Sequence, residues 1–359
     1  MAGPHGDINR GAGMKKLLNT LYVTSEDSWL HKDGQNVVVK IDGDERGRAP
    51  AHLLGQIVCF GYVGVSPRLM SFCAEGGISI AFLNPYGRFL ARVEGPQSGN
   101  VLLRRAQHRH TADGPTALPV AQAIVAAKVA NQRGVIRRNL RDHGPGMADA
   151  DRARLDETAQ RLSDSARLAL SSPDMDALRG LEGDAAKAYF SAFPTLIRNK
   201  DPEFTFSGRS RRPPRDAVNA ILSFLYVLLA QDCRAAAETH GLDPQMGFLH
   251  RDRPGRMSLA LDLMEEFRAP LADRLCLSLI NRRQIPPSGF RREETGGVFL
   301  TDNARATVLK AWQDRKRTVL RHAFFDETAP LGLIPQLQAQ LLARYLRGDI
   351  DGYPAYFWR

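Results

Sequence analysis

Three short stretches of the chain put acids and a histidine where a packed helical core has no need of them. In Leu178, Arg179, Gly180, Leu181, Glu182 and Gly183, two glycines flank one glutamate inside a helical pattern. Each interior glycine costs a helix about 1 kcal/mol relative to alanine, so the pair predicts a close approach beside Glu182 by another backbone or a phosphate. In the stretch 241–250, Gly241 stops a helix, Pro244 and Gly247 turn the chain, and His250 emerges from irregular backbone with its ring free to face a ligand. In 258–268, Ser258 reads as a helix cap and Leu259, Leu263, Met264 and Phe267 as an apolar side. Asp262 and Glu265 then share one face, Glu266 lies a turn from Asp262, and Arg268 is spaced to pair with Glu265 at the surface.

Two carboxylates and one imidazole suit a hard divalent ion such as Mg²⁺ or Mn²⁺, and no cysteine stands near them to favour structural zinc. Such an ion polarises a phosphodiester and neutralises developing charge. The charge balance agrees with that substrate class. Lys plus Arg total 49 against 39 Asp plus Glu, a net +10, which favours a polyanionic partner. The windows 102–143 and 281–322 each carry a surplus of basic residues. Arg209, Arg211, Arg212 and Arg215, on a loop stiffened by Pro213 and Pro214, offer a multidentate phosphate grip, and the first three are the candidate DNA contacts. His108 and His110 form an HxH pair that reads as a phosphate contact rather than a metal motif.

The elements that must position these residues divide unevenly. The 359 residues suggest two domains at roughly 150 residues each. Residues 1–13 read as a vector-derived extension ahead of a second start at Met14. From 17 to 94 short β-branched or aromatic runs alternate with turns, with a hairpin around Lys32, Asp33 and Gly34 and one short helix over 68–75 opened by Ser66 and Pro67. Residues 107–119, rich in Gly and Pro, read as a linker. Beyond it helical patterns run over 120–142, 149–169, 173–197, 216–240, 258–268, 271–283, 302–322 and 334–346. The expected fold is therefore α+β: a small β-rich N-terminal domain (14–106) followed by a larger all-helical domain (120–359). The longest apolar stretch, 217–230, falls short of the roughly 20 residues of a membrane span and reads as a buried helix. Four widely spaced cysteines form no CxxC pair and suit a reducing cytoplasm.

At these same residues the sequence resembles the CRISPR-associated adaptation endonuclease family, the integrase subunit that inserts spacers, and within it the subtype I-C members. The matching strings are Gly180-Leu-Glu182-Gly183 with Ala185, Ala186, Tyr189 and Phe190; Arg212-Pro-Pro with Asp216, Asn219 and Ser223; Gly241-Leu-Asp-Pro with Gly247, Phe248 and His250; and Leu261-Asp-Leu-Met-Glu265 with Phe267 and Arg268. The resemblance implies a β-rich homodimerisation domain and a helical catalytic domain holding one Mg²⁺ or Mn²⁺ on Glu182, His250 and Glu265. Relatives often have Asp at the third position. Asp262 matches a further acid near the ion, as a supporting catalytic residue rather than a ligand.

The implied reaction is transesterification, in which a prespacer 3′-hydroxyl attacks a phosphodiester of the CRISPR repeat. It needs no ATP, and no GxxxxGK[ST] loop is present. The implied partners are DNA, a second copy of the chain and a small ferredoxin-like adaptation protein. Two other readings stay open: a non-catalytic DNA-binding scaffold whose acids merely pair with arginines, and a tyrosine-type recombinase, which would resist EDTA. No GxSxG elbow supports a serine hydrolase.

Overall fold

The computed structural model describes residues 19–95 and 101–358, so the expected extension 1–13 lies outside the described residues. The front of the chain forms β1 (Asn19–Val23), β2 (Trp29–Asp33), β3 (Asn36–Ile41), β4 (Asp44–Pro50), β5 (Leu54–Phe60), β6 (Gly64–Val65), α1 (Pro67–Glu75), β7 (Ser79–Leu83) and β8 (Phe89–Val93). One four-stranded sheet has the order β1-β5-β7-β8 and the other β4-β3-β2-β6. The expected hairpin is β2–β3, and α1 is capped by the Ser66 hydroxyl, which accepts from Leu69 N at 3.3 Å. The edge strand β4 escapes a hydrophobic reading because Asp44, Glu45, Arg46 and Arg48 give it a charged, largely exposed surface.

β5 joins the two halves. Ile57 and Cys59 face a core within the β-rich part, whereas Val58 and Phe60 pack into the large helical core, as the two-residue strand period requires. The back of the chain contains α2 (Val101–Ala112), α3 (Gly114–His143), α4 (Asp149–Leu170), α5 (Met175–Leu196), α6 (Ala217–Thr239), α7 (Ser258–Phe267) and α8 (Arg274–Asn281). A π-helical turn, Arg268–Asp273, separates α7 from α8. Then come β9 (Phe290–Arg292), β10 (Val298–Leu300), α9 (Asp302–Lys316), β11 (Val319–His322), β12 (Glu327–Pro330) and α10 (Ile334–Leu346).

The β-rich-then-helical order is as expected, with three corrections of detail. Two small antiparallel hairpins, β9–β10 and β11–β12, are set into the helical part. The helix expected over 302–322 ends at Lys316, and its tail becomes β11. The segment 107–119 is not an irregular linker: α2 and α3 cover it on either side of Asp113. Gly114 and Pro115 open α3 rather than break it, because the first turn of a helix does not need the N–H that proline lacks. α6 is long and apolar enough to cross a membrane, yet Val218, Ile221, Leu222, Leu225 and Leu229 are buried in the helical core.

Candidate metal centre

α3, α5 and α7 pack together so that one side chain from each meets at a common point. Lys128 of α3 sits among Val125, Ala126, Ala127 and Val129 and is itself only 5% exposed. Its ammonium contacts Oε1 of Glu182 on α5 and lies 2.7 Å from Oε2 of Glu265 on α7. Glu265 is buried, and Arg268 donates toward its Oε1 at 3.0 Å. Burial disfavours the charged form of Glu265, but Arg268, Lys128 and His250 outweigh it and hold the carboxyl down to about 2. The Arg268 pairing read from the sequence as a surface contact is thus an interior one, backed by the Tyr226 ring 4.8 Å from the guanidinium.

His250 reaches the same point from the loop that follows α6. Its Nδ1 is 2.6 Å from Oδ1 of Asp262, and its Nε2 is 3.8 Å from Oε1 of Glu265. A carboxylate at Nδ1 keeps the proton there, which leaves the Nε2 lone pair aimed into the site. Asp262 is fully buried and also accepts from the backbone N–H groups of Phe248, Leu249 and His250. With both oxygens engaged, it positions His250 and shapes its loop. Gly247 makes that possible, since an added Cβ would stand 2.7 Å from Oδ2 of Asp262 and 2.7 Å from Cβ of Ser258. Ser258 is the first residue of α7 rather than its cap, which is Met257.

Arg179, one turn before Glu182 on α5, clasps the same loop. Its Nε and Nη2 donate to the Leu249 carbonyl at 3.0 and 2.8 Å, tying the residue before His250 to the helix that carries Glu182. Gly180 and Gly183 are exposed, and a Cβ on either would meet no described atom. No other backbone approaches them; they leave open surface on both sides of Glu182. Glu266 turns the other way: Tyr353 OH, Tyr356 N and Gln338 Nε2 donate to it, and burial pushes its carboxyl up to about 7. It anchors the C-terminal segment.

The arginine loop divides. Arg209 is turned inward, its Nη1 donating to Ser210 O and Asn219 Oδ1 and its guanidinium stacked near Tyr226 and Phe190. Asp216 caps α6 by accepting from Asn219 N, and the Asn219 amide in turn holds Gly208 O. Arg211 and Arg212 are exposed. His108 lies on α2 with Nε2 3.3 Å from Asp243 Oδ2, and His110 Nδ1 contacts Ala106 O, so the pair shares no common ligand position. Lys128 and Arg179 are the site residues that the sequence reading missed. The signal for Lys128 was available as one charge inside the apolar run Ala126-Ala127-Lys128-Val129.

Among the described residues no three His, Cys, Asp or Glu side chains already form a closed cage. Instead a buried cation, the Lys128 ammonium, stands where two carboxylates meet, with the His250 Nε2 beside one of them. Two carboxylates and a neutral imidazole nitrogen around a point already selected for positive charge fit Mg²⁺ or Mn²⁺.

Residues 21–314 match the family model described as CRISPR associated protein Cas1. The chain is 55% identical over 347 residues to the CRISPR-associated endonuclease Cas1 2 of Rhodospirillum rubrum, covering 96% of this chain and 100% of that one. A casposase bound to integration product has a similar fold, with a TM-score of 0.80 at 21% identity over 95% of each chain. A chain of a Cas6-RT-Cas1–Cas2 complex aligns with a TM-score of 0.79 at 24% identity, over 96% of this chain and 37% of that one.

Proposed function

The chain belongs to the Cas1 family of CRISPR-associated proteins, and from that premise we propose that it is a metal-dependent DNA endonuclease and integrase of CRISPR adaptation, nearest the subtype I-C members. The observation that carries this reading is the convergence of Glu182, Glu265 and the His250 Nε2 on the point held by the Lys128 ammonium. Glu182, His250 and Glu265 would hold Mg²⁺ or Mn²⁺, which when bound supplies a Lewis acid for a phosphodiester.

The chain's own groups do the rest. Asp262 keeps the His250 Nδ1 protonated and the ring aimed, and Arg179 holds the loop against α5. Open surface at Gly180 and Gly183 leaves room for a DNA backbone to approach Glu182. Arg211 and Arg212 contact phosphates, and Arg209 sets the loop that carries them. In the exchange, a prespacer 3′-hydroxyl forms a new ester bond at a phosphate of the repeat while the old ester bond breaks and releases another 3′-hydroxyl. Bond for bond the step is balanced, and no ATP is consumed. Water in place of the hydroxyl makes the same site a nuclease.

Residues 14–106 serve as the homodimerisation domain and 120–359 as the catalytic domain. DNA and a small ferredoxin-like protein are the partners; the likeness to a chain of a Cas1–Cas2 complex supports a protein partner. The cytoplasm is the site of action, consistent with four free cysteines. A scaffold reading rests on the pairing of Glu265 with Lys128 and Arg268. The two are separated by incubating the protein and its partner with a 3′-hydroxyl duplex and a repeat-bearing plasmid, in Mn²⁺ or in EDTA. Joining is expected only with the ion and is expected to be lost in Glu182→Ala, His250→Ala and Glu265→Ala. Equal joining in EDTA would overturn the metal reading, and duplex binding with no joining in any form would favour the scaffold.

A further inference from the structure

The two basic sequence windows meet in space. The end of α3 brings Arg138, Arg141 and His143 against α8 with Arg274 and Arg282, and Arg315 at the end of α9 adds to the same field. Between α3, α8 and the segment after α5 lies a cavity of about 150 Å³ whose wall includes Arg138, His143, Arg198, Arg274 and Arg282. The wall is a built one. Asn281 at the end of α8 accepts from Arg198 N at 2.7 Å and donates to Leu196 O at 2.9 Å, fixing the backbone that presents Arg198. Arg198 Nη1 then stands 3.2 Å from His143 Nδ1.

The positive charge is poorly compensated. Asp142 is the one acid in the wall, and it is already shared by Arg138 at 3.4 Å and Arg141 at 3.0 Å. The Arg274 guanidinium lies 4.5 Å from the Trp358 ring centroid and makes no hydrogen bond or ion pair among the described residues. Burial first, and then the neighbouring Arg315 and Arg138, push Arg274 down to about 9. A guanidinium held in that way gains from an added anion, and several planar forks around one small cavity match the oxygens of a phosphate better than a single carboxylate.

We propose that this cavity is a second anion site that binds a phosphate group of duplex DNA, apart from the carboxylate centre. Lys128 and Arg138 lie on the same helix, separated by about 15 Å at 1.5 Å per residue, so the cavity sits a few phosphates' distance from the point where Glu182 and Glu265 meet. One duplex can therefore touch both. The assignment deepens the reading of DNA as substrate and rests on it.

The test measures anisotropy of a fluorescent blunt duplex in EDTA across a KCl series, with wild type, Arg198→Gln/Arg282→Gln and Arg274→Gln. The first two substitutions are at exposed residues, so the double variant guards against loss of fold at the partly buried Arg274. Each lost phosphate contact lowers the slope of log K against log salt by about 0.9, so a drop of about 2 is expected for the double variant. In parallel, melting is followed in inorganic phosphate and in chloride at equal ionic strength, where wild type gains stability from phosphate and the variants do not. Loss of the phosphate effect with an unchanged DNA slope would make this a free-anion pocket and overturn the DNA assignment. No change in either readout would overturn the site itself. Failure of wild type to bind duplex would sink the functional reading and the DNA assignment with it, while the melting arm still decides whether the cavity takes phosphate.

Discussion

The Lys128 ammonium lies 2.7 Å from Oε2 of Glu265 and also contacts Glu182, so one buried cation joins two helices through two carboxylates. Removing one member of a buried ion pair leaves the others uncompensated and costs about 3–5 kcal/mol. Lys128→Met should therefore lower the melting temperature in EDTA, and Mn²⁺ should restore more of it than it adds to wild type. Equal Mn²⁺ stabilisation of both proteins would separate Lys128 from the metal position.

Asp262→Asn keeps the shape of the side chain but no longer places a carboxylate at the His250 Nδ1. Partners that orient a metal-bound histidine are worth roughly 10–100-fold in metal affinity. A loss of that size is expected by calorimetric Mn²⁺ titration, and an unchanged affinity would show that His250 is held by its loop alone.

Arg179 acts through the Leu249 carbonyl, 70 residues away in sequence. Arg179→Ala should weaken Mn²⁺ binding and slow strand joining about tenfold, with melting lowered by less than in Lys128→Met. Arg179→Lys should recover part of the loss through one remaining donor. Wild-type joining by Arg179→Ala would remove it from the site.

Gly247→Ala would force a Cβ to within 2.8 Å of the Ser258 backbone carbon as well as against Asp262. Overpacking of this kind costs about 1–3 kcal/mol. Thermal melting should show the loss, and Mn²⁺ affinity should fall with it, because the same contact sets the His250 loop.

Asp273 supplies a pH dependence away from the centre. It accepts from Tyr189 OH at 3.1 Å and Tyr226 OH at 2.6 Å, yet burial pushes its carboxyl up to about 6. The folded state therefore holds the proton more tightly than the unfolded chain. Its contribution to stability is present below pH 4 and is lost as the pH rises through 6, to a total of roughly 3 kcal/mol. Chemical denaturation of Asp273→Asn between pH 4 and 8 should lack that decline, and an identical profile in both proteins would refute it.

Much of this molecule is legible in local order. The residues of α10 are those predicted, 334–346, and α4 and α6 differ from expectation by a residue or two, because an apolar stripe of helical period reports which segments bury a face. Glu182, His250 and Glu265 stood out as chemistry in places a core does not need. Harder to read were elements whose residues carry no such stripe: the charged edge strand β4, and β11, which continues a helical-looking run beyond Lys316. What needed tertiary structure was the company each residue keeps. Asp262, Glu265 and Glu266 lie within one helix, yet they face a histidine, a lysine and a tyrosine respectively. Arg209 and Arg211 are two positions apart, one stacked inside and the other in solvent. Spacing along a chain sets which side chains share a face; the packing of α3, α5 and α7 sets what that face meets, and that depends on contacts between residues far apart in sequence.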